Sequence, residues 1–163
     1  MNSYMLNKKN TIEKILWSIA FPGFGQILNG KLVKGLIFLF FELLINIKAN
    51  INEVIILSFH GNTLKAIERT NYQWLMFYPC IYMFAIWDAY RDSGGHNTPN
   101  AFLPFVLSAF LGTIGVVYSS VFRIKGILLG PVWFPVVCFI FGVLIGVVIQ
   151  RFLIVMHKEK MLS

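Results

Sequence analysis

Two runs without a single charge lie almost end to end in this chain. One covers 22 residues from Ala101 to Phe122, the other 24 residues from Gly126 to Ile149, and only Arg123, Ile124 and Lys125 part them. A hydrocarbon core about 30 Å thick takes about 20 apolar residues to cross as a helix, and each run meets that length. A chain of 163 residues has too little interior to hide both from water. The rest of the sequence offers no relief: 57% of it is hydrophobic, 13% is charged, and mean hydropathy is +0.70. Soluble domains average about 25% charged residues. A soluble globular enzyme is therefore excluded, and so is intrinsic disorder. No segment alternates as an outer-membrane barrel strand does, and lipid tolerates only helices and closed barrels. The predicted fold is all-α: a polytopic helical membrane protein of about four transmembrane helices, plus a short broken or re-entrant N-terminal helix.

Three further apolar stretches precede the two runs. Ile15 to Leu28 has 14 residues and is interrupted by Pro22, Gly23 and Gly25. Gly35 to Ile47 contains Glu42 and extends through Lys48 towards Phe59. Tyr72 to Tyr90 has Pro79 inside it. The expected organisation is a polar arm over 1–11, a hairpin with a long central link over 12–93, and a loop over 94–100. A second helical hairpin over 101–157 and a basic tail over 158–163 follow. In the link, His60-Gly61-Asn62 reads as a turn, followed by a short helix at the membrane surface. Trp17, Tyr72, Trp74, Trp87, Tyr90, Tyr118 and Trp133 lie near the expected boundaries, where aromatic belts form. There is also an echo. Ala20-Phe21-Pro22-Gly23 precedes Lys34-Gly35, and Ala109-Phe110-Leu111-Gly112 precedes Lys125-Gly126. A duplicated hairpin, as in transporters, would give this pattern, and so would any pair of membrane hairpins with glycine turns beside lysines.

The net charge of +7 arises from 14 Lys and Arg against 7 Asp and Glu. The basic residues are scattered between apolar runs. They suit orientation of helices and contact with anionic head groups rather than nucleic acid, which needs a contiguous basic face. If the first stretch dips in and returns, nine of the 14 fall on one side of the membrane and five on the other. A fully spanning first stretch gives eight and six. The re-entrant, four-span arrangement fits the positive-inside rule better, and it puts both termini in the cytoplasm. The polar arm argues against a cleavable signal peptide.

Chemistry-bearing residues are few. Cys80 and Cys138 stand alone in apolar runs without a metal or redox spacing, and His60, His96 and His157 are isolated. Ser18, Ser108, Ser119 and Ser120 have no intramembrane histidine to activate them. No catalytic constellation, metal site or cofactor motif is expected. Glu42 lies roughly 10 Å into its segment. It is either a proton or cation site, with Asn46 one turn on, or a structural carboxylate paired with a neighbouring helix. Asp88 and Arg91 share a helix face, and in an antiparallel hairpin Lys34 faces Asp88. A Lys34–Asp88 staple is the preferred reading, a substrate role for Asp88 the other. Gln26 and Asn29 are expected to satisfy backbone groups freed by Pro22, Gly23 and Gly25, or else to contact a ligand.

The turn Pro22, Gly23, Gly25, Gln26, Asn29, Gly30, Lys34, Gly35, followed much later by Trp87, Asp88, Tyr90 and Arg91, carries a resemblance. Over about residues 12–93 the chain resembles bacterial small membrane proteins related to the two-helix hairpin called the TM-two domain. The resemblance implies a bacterial cytoplasmic membrane location and a helical hairpin, and no established catalytic activity. The expected function is that of a non-enzymatic accessory, scaffold or regulatory membrane protein. Its partners would be the lipid bilayer and a membrane protein or further copies of itself. The alternative is a small oligomeric transporter or channel subunit with Glu42 on its path.

Overall fold

Long runs of Leu, Ile, Phe and Val without turn residues propagate helix, and Pro, Gly and Asn set the breaks. The computed structural model describes the backbone of residues 3–95 and 98–162 and the side chains of 10–95 and 98–159. Met1, Asn2, His96, Asn97 and Ser163 lie outside the described residues. So do parts of the expected arm, loop and tail, the isolated His96, and the side chains of Lys8, Lys9 and Lys160.

The described chain is all-α apart from one two-residue ribbon. Helix α1 (Ser3–Ala20) absorbs most of the expected polar arm. The chain breaks at Phe21 to Gly23, where Gly23 has φ +105°, and turns into α2 (Phe24–Leu28). Helix α3 (Leu32–Ala49) follows. The expected continuation towards Phe59 exists as a separate helix, α4 (Ile51–Phe59), because Asn50 adopts φ 59° and ends α3. His60 to Asn62 turns the chain with Gly61 at φ 75°, and α5 (Thr63–Arg69) is the short helix read from the sequence. The stretch from Tyr72 is two helices, α6 (Tyr72–Leu75) and α7 (Tyr78–Asp92), with Pro79 in the first turn of α7 rather than inside a span. A proline there costs no helical hydrogen bond.

Helix α8 (Leu103–Tyr118) is followed by β1 (Arg123–Ile124) and β2 (Ile127–Leu128), paired antiparallel. This ribbon shortens the second uncharged run, so α9 starts at Gly130. It continues to Leu162 and takes in the expected tail. The echo is not a structural repeat. Gly112 lies inside a continuous helix, whereas Gly23 lies in a break. Lys34-Gly35 is helical, whereas Lys125 and Gly126 form a turn with φ 50° and 83°.

Pairings fix the register of the bundle. Helices α3 and α7 run antiparallel, with Lys34 opposite Asp88 and Glu42 opposite Tyr78. Helix α8 returns along α7, with Trp87 against Phe105 (ring centroids 5.5 Å apart) and Cys80 near Thr113. Helices α8 and α9 make the most extensive contact in the fold. Gly142 and Gly146 on α9 face the Ser108 and Pro104 backbones, and Gly115 on α8 faces Pro135. Small residues at such spacing let helix backbones approach where apolar burial gives no drive. The Ser108 hydroxyl donates to the Phe139 carbonyl at 2.9 Å across this seam. Helix α1 runs antiparallel to α7, from Thr11 beside Ser93 to Ile19 beside Tyr82, and α2 comes back towards Asn29 and Lys34. At the other end Ile45, Ala49, Ile51, Leu75 and Val116 form a core cluster. There Phe59 lies 4.7 Å from Trp133 by ring centroid.

Among the described residues one helix, α9, is long and apolar enough to cross a membrane by itself, with mean hydropathy 2.8 over its best window. The four spans expected from the sequence are not four such helices. Helix α8 is apolar but has 16 residues, α7 has 15, and α3 carries Lys34, Glu42 and Lys48.

Candidate functional site

The densest polar cluster sits where α2, α3 and α7 meet. Asp88 is 4% exposed. A buried carboxylate is expensive unless it is paired and hydrogen-bonded, and Asp88 is both. Lys34 Nζ reaches its Oδ1 at 2.9 Å and Arg91 Nη2 reaches the same oxygen at 3.0 Å. Gln26 Nε2 donates to Oδ2 at 3.3 Å. Lys34 also reaches Asp92 Oδ2 at 2.9 Å. The sequence reading missed Asp92, although its position four residues after Asp88 puts it one turn on along the same face. Lys34 Nζ thus donates to both carboxylates at once.

Gln26 and Asn29 do not satisfy the backbone of their own turn, contrary to expectation. Gln26 Nε2 donates to the Ala85 carbonyl at 2.7 Å, and Asn29 Nδ2 donates to the Ala89 carbonyl at 2.9 Å. The reason is proximity: Ala85 and Ala89 are fully buried small residues, so α2 lies close enough for its amides to reach the α7 backbone. Two acceptors on Nε2 also fix which way the Gln26 amide points. Gly25 makes the approach possible. A Cβ there would collide with Ser18 Oγ and stand 2.6 Å from the Lys14 carbonyl and 2.8 Å from Ala89 Cβ. Gly23 combines its positive φ with the Gly35 carbonyl at 2.5 Å from a built Cβ. The broken helix is thus held to α7 by two side-chain amides and the missing side chain at Gly25, and it lies against α3 through the missing side chain at Gly23.

Glu42 lies further along α3, 7% exposed. Tyr78 Oη donates to its Oε1 at 3.2 Å, and the Tyr78 ring stacks on Tyr82 with centroids 5.4 Å apart. Asn46 is not its companion; it bonds Asn52 at 3.2 Å on the exposed side of the α3–α4 junction. Tyr78 was not singled out in the sequence, and nothing in its neighbourhood marks it as a carboxylate partner. Two apolar grooves lie beside α7, and neither includes Glu42 in its wall. Among the described residues no group of three His, Cys, Asp or Glu could hold a metal ion. Comparison with protein-family models, curated proteins and solved structures finds no match for this chain.

Two outcomes follow from this geometry. Asp88→Asn should lower stability in detergent by about 1.5–3 kcal/mol, the scale for hydrogen bonds to a charged group, and by more than Asp92→Asn. Adding Lys34→Gln should fall short of additivity by at least about 0.5 kcal/mol in a double-mutant cycle; full additivity would mean the pair is not coupled. Gly25→Leu should spoil assembly, seen as aggregation or a polydisperse size-exclusion profile. Leu36→Ile, on an exposed apolar face, should elute like the parent protein.

Proposed function

We propose that the chain is a multi-pass membrane protein of the cytoplasmic membrane whose role is that of a non-enzymatic scaffold or accessory protein. The observation that carries this reading is Glu42. A carboxylate at this depth marks an ion path when it lines a polar cavity, and a structural link when it is consumed between helices. Glu42 is buried against α7 with Tyr78 as its donor. Asp88 is likewise consumed by Lys34, Arg91 and Gln26. The buried carboxylates are spent on holding helices together, which suits a rigid body that other membrane components bind.

The multi-pass reading has its own support. Phe40, Leu43 and Ile47 on α3, Val106 and Phe110 on α8, and Ile140, Leu144 and Val148 on α9 are all exposed. Apolar belts of this kind on several helices require a covering of lipid or protein. Helices α3, α7, α8 and α9 alternate in direction, and α1 with α2 goes in and comes back. Lys31, Lys34, Arg91 and Arg151 gather at one end in this register, and Lys48, Arg69, Arg123 and Lys125 at the other. With the N-terminal lysines and the C-terminal tail added to the first group, that end is the cytoplasmic one by the positive-inside rule. The resemblance to TM-two hairpins is consistent with the same staple, since Gln26, Asn29, Lys34 and Asp88 all belong to it.

Reporter fusions at the two ends of the chain should both give cytoplasmic signals; opposite signals would restore five spans. The scaffold reading is tested against transport in proteoliposomes. Wild-type protein should conduct protons and monovalent cations no faster than empty vesicles. Glu42→Gln, which keeps an acceptor for Tyr78, should leave both the leak and the melting temperature close to the parent values. A flux present in wild type and abolished in Glu42→Gln would overturn the scaffold reading in favour of the transporter.

A further inference from the structure

Two acids are buried among the described residues, Asp88 and Glu42, and their surroundings differ in kind. Asp88 accepts from two cations and an amide. Glu42 accepts from one neutral hydroxyl, with Tyr78 Oη 3.2 Å from Oε1. A hydroxyl that donates to an ionised oxygen closes to about 2.5–2.7 Å, so this contact is long for a charged acceptor. The other oxygen, Oε2, has no hydrogen bond among the described residues, and it is not sealed from the surface.

No cation compensates Glu42. Helix α3 packs against α2, α4, α6 and α7. Its own lysines are Lys34, eight residues back and held by Asp88 and Asp92, and Lys48, six residues on and about 120° round the helix. Arg91, the cation of α7, is at Asp88. Helix α2 has no titratable residue. Helix α4 offers Glu53, which is paired with Arg69, and α6 offers the Tyr72 phenol, which lies beside Ser119. On α7, Tyr82 donates to the Ile19 carbonyl, and Cys80 and Tyr90 lie towards α8. An ionised carboxylate buried in this company would be uncompensated, and such a group takes up a proton instead.

We propose that Glu42 is a carboxylic acid at neutral pH and the site at which a lipid-soluble carbodiimide modifies this chain. The proposal rests on the membrane reading above. Phe41 and Leu43 beside Glu42 are exposed and apolar, so Oε2 is approached through hydrocarbon. That route is open to a reagent dissolved in lipid and closed to a water-soluble one. In the reaction the carboxyl proton passes to one carbodiimide nitrogen as Oε2 bonds to the central carbon. Migration of the acyl group to nitrogen then leaves a stable N-acylurea, with every atom of both reactants retained. An ionised carboxylate lacks the proton that this addition consumes.

The test uses the full chain in vesicles of phosphatidylethanolamine and phosphatidylglycerol. Failure to float with the vesicles would overturn the membrane reading and this proposal together. With the protein afloat, dicyclohexylcarbodiimide should add to the peptide that carries Glu42. The yield should change by less than about twofold between pH 5 and pH 7, an interval in which an ordinary glutamate loses roughly eightyfold of its acid form. A water-soluble carbodiimide should leave Glu42 unmodified. Glu42→Gln should abolish the adduct, and Tyr78→Phe, which leaves Oε2 untouched, should retain it. Infrared spectra supply a readout independent of access: the carbonyl band of a carboxylic acid should be present at pH 7 in the parent and missing from Glu42→Gln. A parent without that band, or labelling that collapses between pH 5 and pH 7, would overturn the neutral acid while leaving the membrane reading standing. The band without an adduct would overturn the modification site.

Discussion

The Asp88 carboxylate is the interaction on which the rest of the fold depends. It is the one acid buried where three helices meet, and it accepts from each of them: Gln26 of α2, Lys34 of α3 and Arg91 of α7. Desolvating a carboxylate costs several kcal/mol, so it is stable only with this full set of donors. Each donor therefore has its position dictated. Once Lys34 is opposite Asp88, the antiparallel register of α3 and α7 is set, and Glu42 falls opposite Tyr78 without further choice. Once Gln26 is at Asp88, α2 must lie on Ala85 and Ala89, and α1 must turn back at Pro22 and Gly23. A slip of one turn between α3 and α7 would take Glu42 away from its Tyr78 donor.

The second half of the chain solves the same problem by different means. The seam between helices α8 and α9 has no charge to set its register, so shape does it: glycines on one helix receive the backbone or rings of the other. On the proposed membrane reading this is the available route, because apolar burial gives no drive between helices surrounded by hydrocarbon. The two halves meet on α7, which presents three faces. Tyr78, Ala85, Asp88 and Ala89 serve α2 and α3. Pro79, Tyr82 and Ile86 serve the groove beside α9. Cys80, Phe84 and Trp87 serve the open side towards α8.

What the sequence made legible follows from how its signals arise. Charges inside apolar runs are rare and costly, so Lys34, Asp88 and Glu42 stood out, and opposite ends of one hairpin suggested which two would meet. Pro22 and the nearby glycines marked a break because they act on the local backbone. Partners that lie across space were not legible. Tyr78 sits among other aromatics, and its one distinguishing atom is a hydroxyl that finds Glu42 only after folding. The carbonyls of Ala85 and Ala89 have no side-chain signature at all, so the roles of Gln26 and Asn29 were assigned to the wrong backbone. Asn50 ends α3 through a left-handed conformation that asparagine tolerates at small cost, and one polar residue in a polar stretch does not announce that. The ribbon at Arg123 to Leu128 is too short for a period, and its apolar residues merged with the run that follows.

The distribution of polar groups also bears on the proposed scaffold role. A transport path needs polar atoms that face a cavity and are free to change partners. Here the buried carboxylates accept from neighbouring side chains, and the grooves beside α7 are lined with apolar side chains. Those two facts are linked. A helix that spends its polar residues on one face, as α7 does towards α2 and α3, has only apolar residues left for the others. Its remaining surfaces can then recognise lipid or another apolar helix, and little else. The same staple that fixes the register thus limits the chemistry of every other face of α7, and a rigid core with apolar sides is what a scaffold within a bilayer requires.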